Sequence, residues 1–169
     1  MTDPPSADAV AETVRYVAIT RLQNRYADIV TRREWDELHE IFLPDARVEV
    51  DKRSGDPLVL DGPQAVGGFI GGAIADFEFF EFVILSTVVE VGVDGDDTRA
   101  QGRMYIHELR QEAGGRWTDA YGVYHDRYRE VDGRWWFEAR RYHSLARTAP
   151  DVQVFGFPHH LRLGGLEDG

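Results

Sequence analysis

The chain has 169 residues, no cysteine, 43% hydrophobic residues and a formal net charge of -11. This length and composition predict one folded domain with its own core, and the lack of cysteine excludes disulfides and thiolate zinc sites. The acidic balance argues against binding to nucleic acid or to an anionic membrane surface. Apolar runs too short to span a bilayer and a polar, acidic N-terminus lead us to expect a cytoplasmic protein.

The N-terminal third reads as helical. Apolar residues at helical spacing predict a first helix from about Asp8 to Val30. A second, shorter helix is predicted from about Glu34 to Phe42, before the Pro44-Asp45 pair. A third helix is predicted from about Pro63 to Ile74, with a proline near its first turn. Its many glycines indicate that this helix is either weak or closely packed.

The remainder of the chain reads as strands. Ala46–Val50 and Pro57–Leu60 are short, and the β-branched and aromatic run Phe79–Val93 predicts a long buried strand. Three more strands follow, and an Asp-Gly turn joins the last two of them as a hairpin. These three strands are predicted at Thr98–Gln111, Trp117–Val131 and Arg134–Leu145. Helices followed by a run of antiparallel strands predict an α+β fold.

Three segments carry a resemblance to a known family. They are YADIVTRREWDEL at 26–38, IFLPD at 41–45, and the Asp-Gly-x-Trp hairpin that runs into RRYHSL at 140–145. Together they resemble the SnoaL-like family of the nuclear transport factor 2-like superfamily, over about Val10 to Leu145. The resemblance implies a cone, in which a strongly curved antiparallel sheet wraps around three N-terminal helices and leaves a pocket at its open end.

The resemblance also sets the expected domain limits and partners. We expect a SnoaL-like domain over 8–148 and a C-terminal tail over 149–169, docked over the pocket or on a partner subunit. Family members include scytalone dehydratase, bile-acid dehydratase and polyketide cyclases, and many of them dimerise. The implied partners are therefore a small hydrophobic molecule and a second copy of the chain, in a homodimer or higher homo-oligomer.

The dehydratase branch of this family places a tyrosine and an aspartate on the first helix and a histidine on the strand after the third helix. By resemblance, the tyrosine position matches Tyr26 and the aspartate position falls on Thr31. The histidine position falls on Phe82 or next to it. Thr and Phe cannot relay protons as an Asp-His pair does, so the familiar mechanism of that branch is not expected in this chain.

Strand alternation selects other candidates. Arg103, Tyr105 and His107 share one face of their strand, and Tyr124 and Asp126 share a face of the next. His107 is the predicted acid-base group, because imidazole titrates near neutral pH. The alternative is a histidine that only hydrogen-bonds to a neighbouring side chain.

Carboxylates and an arginine complete the predicted site. Asp28 could replace the missing aspartate, with an exposed ion-paired residue as the alternative, and Asp126 could orient the base or pair with an arginine. Only one of Arg140 and Arg141 can face inward, where it would hold an anion. The predicted catalytic residues are His107, Asp28, Tyr26 and Asp126. The predicted substrate-binding residues are Tyr105, Tyr124, Arg103, Phe82, Ser86, Thr31 and Arg141.

The sequence contains no metal-binding or nucleotide-binding motif, so no metal and no cofactor are expected. The predicted function is a cofactor-free lyase or isomerase that acts on a small apolar oxygenated ring compound, such as a polyketide, terpenoid or steroid. One alternative is a binding or accessory protein that has lost the Asp-His pair. Another is an epoxide hydrolase-like enzyme, in which Arg103 lies near Asp126.

Overall fold

The computed structural model describes residues 4–148. Within this range, two α-helices and six strands follow one another in the order α1 (Ala7–Arg32), β1 (Phe42–Val50), β2 (Leu58–Asp61), α2 (Gly62–Ala73), β3 (Phe77–Val91), β4 (Arg99–Glu112), β5 (Trp117–Val131) and β6 (Arg134–Arg147). A 3₁₀ helix, Trp35–Glu40, lies between α1 and β1, and a shorter one, Val93–Gly95, lies between β3 and β4. The predicted docking of the tail, 149–169, lies outside the described residues.

Helix α1 confirms the first predicted helix. Its N-terminus is capped by the side chain of Ser6, whose hydroxyl accepts a hydrogen bond from the backbone N–H of Ala9 at 3.2 Å. Its C-terminus is closed by Arg33 in the left-handed conformation. Its buried side packs against the inner face of the sheet, chiefly against β3. The buried apolar residues of this side are Ile19, Leu22, Tyr26, Ile29 and Val30.

The six strands form one curved sheet in the order β2-β1-β6-β5-β4-β3. All neighbouring pairs are antiparallel except β1 and β6, which are parallel. Register shifts interrupt three of the five pairings, those of β1 with β6, β3 with β4 and β5 with β6. The other two pairings, β1 with β2 and β4 with β5, are in continuous register. Bulges of this kind bend strands, and the result is the predicted α+β cone; the parallel pair was not predicted.

Strand β3 corrects one expectation. The sequence predicted a buried strand, but β3 lies at the edge of the sheet and its outer face is exposed. Phe79, Leu85 and Val88 are 39%, 55% and 49% exposed, respectively. Phe80 and Phe82 are the two buried residues of β3, whereas Ile84, Val89 and Val91 pack on the core but are only partly buried. An uninterrupted apolar run therefore did not indicate burial on both faces.

The glycine-rich helix α2 is closely packed. A Cβ atom at Gly67 would lie 3.1 Å from Cβ of Trp35, and one at Gly71 would lie 3.1 Å from the indole nitrogen of the same residue. The second predicted helix is a 3₁₀ helix, and Phe42 begins β1 instead of ending that helix. Between residues 4 and 148, no helix combines the length and apolar character needed to cross a membrane.

Candidate active site

A pocket lies between the two α-helices and the inner face of the sheet. Its cavity volume is about 180 Å³, and residues of α1, α2 and all six strands contribute to its wall. Most of the wall is apolar, as is usual for sites that bind small molecules. The apolar part includes Val30, Val48, Leu60, Val66, Ile70 and Phe80.

One carboxyl group lies in this wall. Even-numbered residues of β4 face inward, so Glu108 follows the core residues Met104 and Ile106 into the pocket. Burial raises the pKa of Glu108, and the positive charges of Arg110 and Arg147 oppose that rise only in part. Among the described residues that line the pocket, Glu108 is the sole carboxylic acid. It is therefore a group that can exchange a proton with a bound molecule.

Three phenols line the same pocket. Tyr26 and Tyr124 have ring centroids 6.1 Å apart, and those of Tyr124 and Tyr142 lie 4.9 Å apart. Burial raises the pKa of Tyr26, raises that of Tyr124 well above its ordinary value, and raises that of Tyr142 to about 12. All three therefore remain protonated at neutral pH and can donate hydrogen bonds to a ligand oxygen.

A buried cation closes the inner end of the site. Arg140 is 1% exposed, and its Nε and Nη2 atoms donate to the two carboxylate oxygens of Asp126 at 2.6 and 2.9 Å. The hydroxyl of Tyr128 also donates to Asp126, at 2.9 Å, and accepts a hydrogen bond from Gln23 at 2.7 Å. Burial alone would lower the pKa of Arg140, but the charge and hydrogen bonds of Asp126 outweigh it and raise that pKa. The pair holds a permanent cation at a fixed place.

The third terminal nitrogen of Arg140 has a different environment. Nη1 is buried and donates to no acceptor among the described residues. The guanidinium carbon lies 4.2 Å from the ring centroid of Tyr26 and 4.3 Å from those of Tyr124 and Phe137. Because Nε and Nη2 form the edge that faces Asp126, Nη1 points away from that carboxylate. It is available to an oxygen atom of a molecule in the pocket.

The structure places His107 away from this pocket. His107, Arg103 and Tyr105 do share one face of β4, as predicted, but it is the outer face of the sheet, opposite Glu108. There the Nε2 atom of His107 lies 2.7 Å from a carboxylate oxygen of Asp119, and its ring stacks on Tyr121 with centroids 4.4 Å apart. Alternation groups residues by face but does not say which face is the inner one, and this limit accounts for the difference.

Three more predicted residues also lie outside the pocket. Asp28 has an exposed side chain that forms an ion pair with Arg32 at 2.9 Å, and Ser86 is exposed on β3. Arg141 faces outward and binds Glu49 at 2.6 Å. The inward member of the arginine pair is Arg140.

Asp126 supports the pocket from behind and does not line it. Within residues 4–148, Asp126 is the one carboxylate that contacts Arg140. Arg103 lies on the outer face of the sheet, whereas Asp126 lies on the inner face, so these two residues do not form the Asp-Arg-Asp arrangement of the epoxide hydrolase-like alternative.

Of the predicted residues, Tyr26, Tyr124 and Phe82 do line the pocket. The prediction missed Glu108 and the residues around it, although alternation from the apolar pair Met104 and Ile106 pointed to Glu108. The other missed lining residues with polar groups are Arg110, Arg140, Tyr142 and Arg147. In the part of the chain that the structure describes, no group of three or more His, Cys, Asp or Glu side chains is arranged to hold a metal ion.

Comparison with known proteins identifies the family. The model of the SnoaL-like domain matches residues 11–141. The chain belongs to the SnoaL-like family. No curated protein matches the sequence significantly.

Solved structures of the same fold are similar at low sequence identity. A candidate scytalone dehydratase from Novosphingobium aromaticivorans is 20% identical, with a TM-score of 0.72 over 86% of this chain and 94% of that one. The hexachlorocyclohexane dehydrochlorinase LinA-type3 from Novosphingobium barchaimii is 18% identical, with a TM-score of 0.71 over 89% and 99%. Aln2 from Streptomyces is 18% identical, with a TM-score of 0.65 over 84% and 94%. At these identities the likeness establishes the fold alone.

The two positions at which this SnoaL-like protein departs from the expected Asp-His pair contact each other. The hydroxyl of Thr31 accepts a hydrogen bond from the backbone N–H of Phe82 at 3.0 Å. Thr31 thus joins α1 to β3, and the ring of Phe82 packs edge-on against Tyr26 at 5.4 Å. These contacts are structural, and the charged residues that line the pocket lie on β4 and β6 instead.

Proposed function

We propose that the protein is a cofactor-free lyase or isomerase that moves protons on a small, apolar, oxygenated ring compound. The observation that carries the proposal is the position of Glu108, a carboxyl group whose side chain is only 17% exposed in the wall of a pocket that also holds three phenols. A carboxyl group whose pKa is raised can both take and return a proton near physiological pH. Polyketide, terpenoid or steroid-like compounds are the proposed substrates, because the lining is largely apolar.

In the proposed reaction, the carboxylate of Glu108 takes a proton from the carbon next to a carbonyl group. The electrons of that C–H bond form a carbon–carbon double bond, and the carbonyl π electrons move onto oxygen. The phenols of Tyr124 and Tyr142, together with Nη1 of Arg140, are placed to donate hydrogen bonds to this oxyanion. Donors fixed before the reaction stabilise developing charge more effectively than water does.

The second half of the reaction decides between elimination and isomerisation. In an elimination, the enolate electrons return and break the bond from the β-carbon to a hydroxyl group, which takes the proton from Glu108 and leaves as water. In a double-bond shift, Glu108 returns its proton to a different carbon. Two of the similar structures are named for eliminations, as a dehydratase and a dehydrochlorinase, which favours the lyase.

Glu108→Gln tests the proposal against a matched control. The amide keeps the size of the side chain but cannot accept the proton, so we expect kcat on a panel of β-hydroxy ring ketones to fall about 100- to 10,000-fold. Glu112→Gln is the control, because Glu112 is on the same strand but pairs with Arg116 outside the pocket. If Glu108→Gln keeps the full turnover rate of the parent, the assignment of Glu108 as the catalytic base is wrong, whether or not the control variant loses activity.

The second candidate function is non-catalytic binding of a small molecule. It is favoured by Thr31 and Phe82, which stand where the resemblance leads us to expect the catalytic pair. Under this alternative, a ligand recovered after long incubation with the parent protein would be chemically unchanged. The ligand recovered from Glu108→Gln would be unchanged as well. Mass spectrometry of the recovered ligand separates the two functions.

Assembly and location are proposed from the family resemblance and from composition. We propose a homodimer or higher homo-oligomer and a cytoplasmic location. Light scattering coupled to size-exclusion chromatography measures the first, and fractionation of cells that express the protein measures the second.

A further inference from the structure

We infer that the substrate is an apolar ring acid, whose carboxylate is held by Arg110 and Arg147 at the opening of the pocket. The inference rests on the proposed function, since it takes the same pocket as the substrate site, and it goes further by naming the charge of the substrate. Both arginines line the pocket, and Arg147 is exposed, so it marks the side that opens to solvent.

The charges of the pocket do not balance. Among residues 4–148, its charged lining consists of Glu108, Arg110, Arg140 and Arg147. The charge of Arg140 is matched by Asp126 directly behind it, so two arginines remain against one carboxyl group. That carboxyl group is Glu108. An excess of positive charge in a chain of net charge -11 is a local feature that attracts an anion.

Several donors in this wall have no acceptor. Nε of Arg110 is buried without a partner among the described residues, and its Nη1 lies 3.7 Å from Glu108, beyond hydrogen-bond length. Its Nη2 donates to the backbone oxygen of Asp119 at 3.2 Å. No carboxylate between residues 4 and 148 pairs with Arg147. The buried Nη1 of Arg140, deeper in the same pocket, also has no acceptor in the described part of the chain.

These unpaired donors favour a carboxylate over other anions. A buried donor without an acceptor is unfavourable, and an oxygen atom of a ligand removes that cost. The planar guanidinium group matches the two oxygens of a carboxylate. A dianion such as a phosphate monoester would meet the nearby Glu108, whereas a monoanion on an apolar ring places its charge at the opening and its ring against the apolar wall.

Matched acids and amides test this inference directly. The probes are benzoic, cyclohexanecarboxylic and 2-naphthoic acids, each compared with its primary amide by isothermal titration calorimetry on the full chain. We expect at least one acid to bind about tenfold or more tightly than its amide, as one charged hydrogen bond requires. About 0.5 M NaCl should reduce this preference, because salt screens partly exposed charges.

Variants locate the effect. Arg147→Gln, at an exposed position that should not impair folding, is expected to bring the acid and its amide to within about threefold of each other. Arg110→Gln should do the same, with its thermal midpoint measured beside it. Arg116→Gln changes the net charge equally but lies outside the pocket in a pair with Glu112, and it should keep the preference.

Two outcomes overturn the inference: amides that bind as tightly as their acids, and failure of all three acids to bind. Arg147→Gln and Arg110→Gln that both keep the full preference also overturn it. The test is independent of turnover. If the acid preference holds but Glu108→Gln leaves turnover intact, the proposed reaction fails and the substrate class stands. If Glu108→Gln abolishes turnover while amides bind equally well, only the substrate class fails.

Discussion

The buried pair of Asp126 and Arg140 gives the sharpest prediction about stability. Asp126→Asn keeps the shape of the side chain but removes its charge, which leaves the arginine uncompensated at 1% exposure among three aromatic rings. Loss of one member of a buried ion pair costs about 3–5 kcal/mol. For a domain of this size, such a loss lowers the melting temperature by roughly 6–20 °C.

Urea denaturation followed by tryptophan fluorescence measures this free energy, and a surface pair supplies the control. Asp28→Asn removes the partner of Arg32 on an exposed face of α1, where an ion pair contributes about 0–1 kcal/mol. We therefore expect a large loss for Asp126→Asn and almost none for Asp28→Asn. Equal losses in the two variants, or a loss below about 1 kcal/mol for Asp126→Asn, would refute the view that Arg140 is a charge fixed by its buried partner.

Three further predictions concern the pocket wall and its support. Since the pKa of Glu108 is raised in the folded state, Glu108 contributes stability below its unfolded pKa, and this stability is lost as the pH rises through its folded pKa. Glu108→Gln should therefore be more stable than the parent at about pH 8 and equally stable near pH 3. The expected difference at high pH is about 1.4 kcal/mol for each pH unit between the folded and unfolded pKa values. Gly122→Ala should cost about 1–3 kcal/mol and reduce ligand binding, because the new Cβ would overlap the ring of Tyr142 in the pocket wall. Thr31→Val should cost about 1–3 kcal/mol, because it removes the acceptor of the Phe82 N–H, but should leave turnover unchanged.

Urea denaturation checks all three predictions, with ligand titration added for the second and turnover for the third. Gly114→Ala is the control for Gly122→Ala, because a Cβ at Gly114 would have no atom of residues 4–148 within 4 Å. The reasoning fails if Glu108→Gln is no more stable than the parent at high pH, if both glycine variants behave alike, or if Thr31→Val abolishes turnover.

Local sequence patterns predicted most of the fold. Helix α1 has helical apolar spacing over its whole length, and the Asp132-Gly133 turn sets the final hairpin. The parallel pairing of β1 with β6 could not be predicted, because it joins strands that are far apart in the chain and no local sequence pattern specifies it. The edge position of β3 could not be predicted either, because it depends on the order of the strands in the sheet, in which β3 pairs with β4 alone among the described strands.

The site was only partly predictable, for a related reason. Tyr26 and Tyr124 were assigned to the pocket and do line it. Arg140 faces inward because of a register shift on β6: Tyr128 pairs with Phe137, whereas Asp126 pairs with Arg140. Simple alternation from the inward-facing Phe137 would have placed Arg141 on the inner face and Arg140 on the outer face. A bulge of one residue moves each following side chain of the strand to the opposite face of the sheet. The position of a bulge could not be predicted from this sequence.

The most direct test of the central claim is the ionisation of Glu108 itself. Carbon-13 NMR of the glutamate side-chain carboxyl groups, recorded across a pH titration, assigns the signal of Glu108 by its absence in Glu108→Gln. We predict that this signal titrates above the ordinary glutamate pKa and that an aromatic acid bound in the pocket shifts it. A Glu108 signal that titrates at or below the ordinary value, and that does not respond to any bound molecule, would contradict the account.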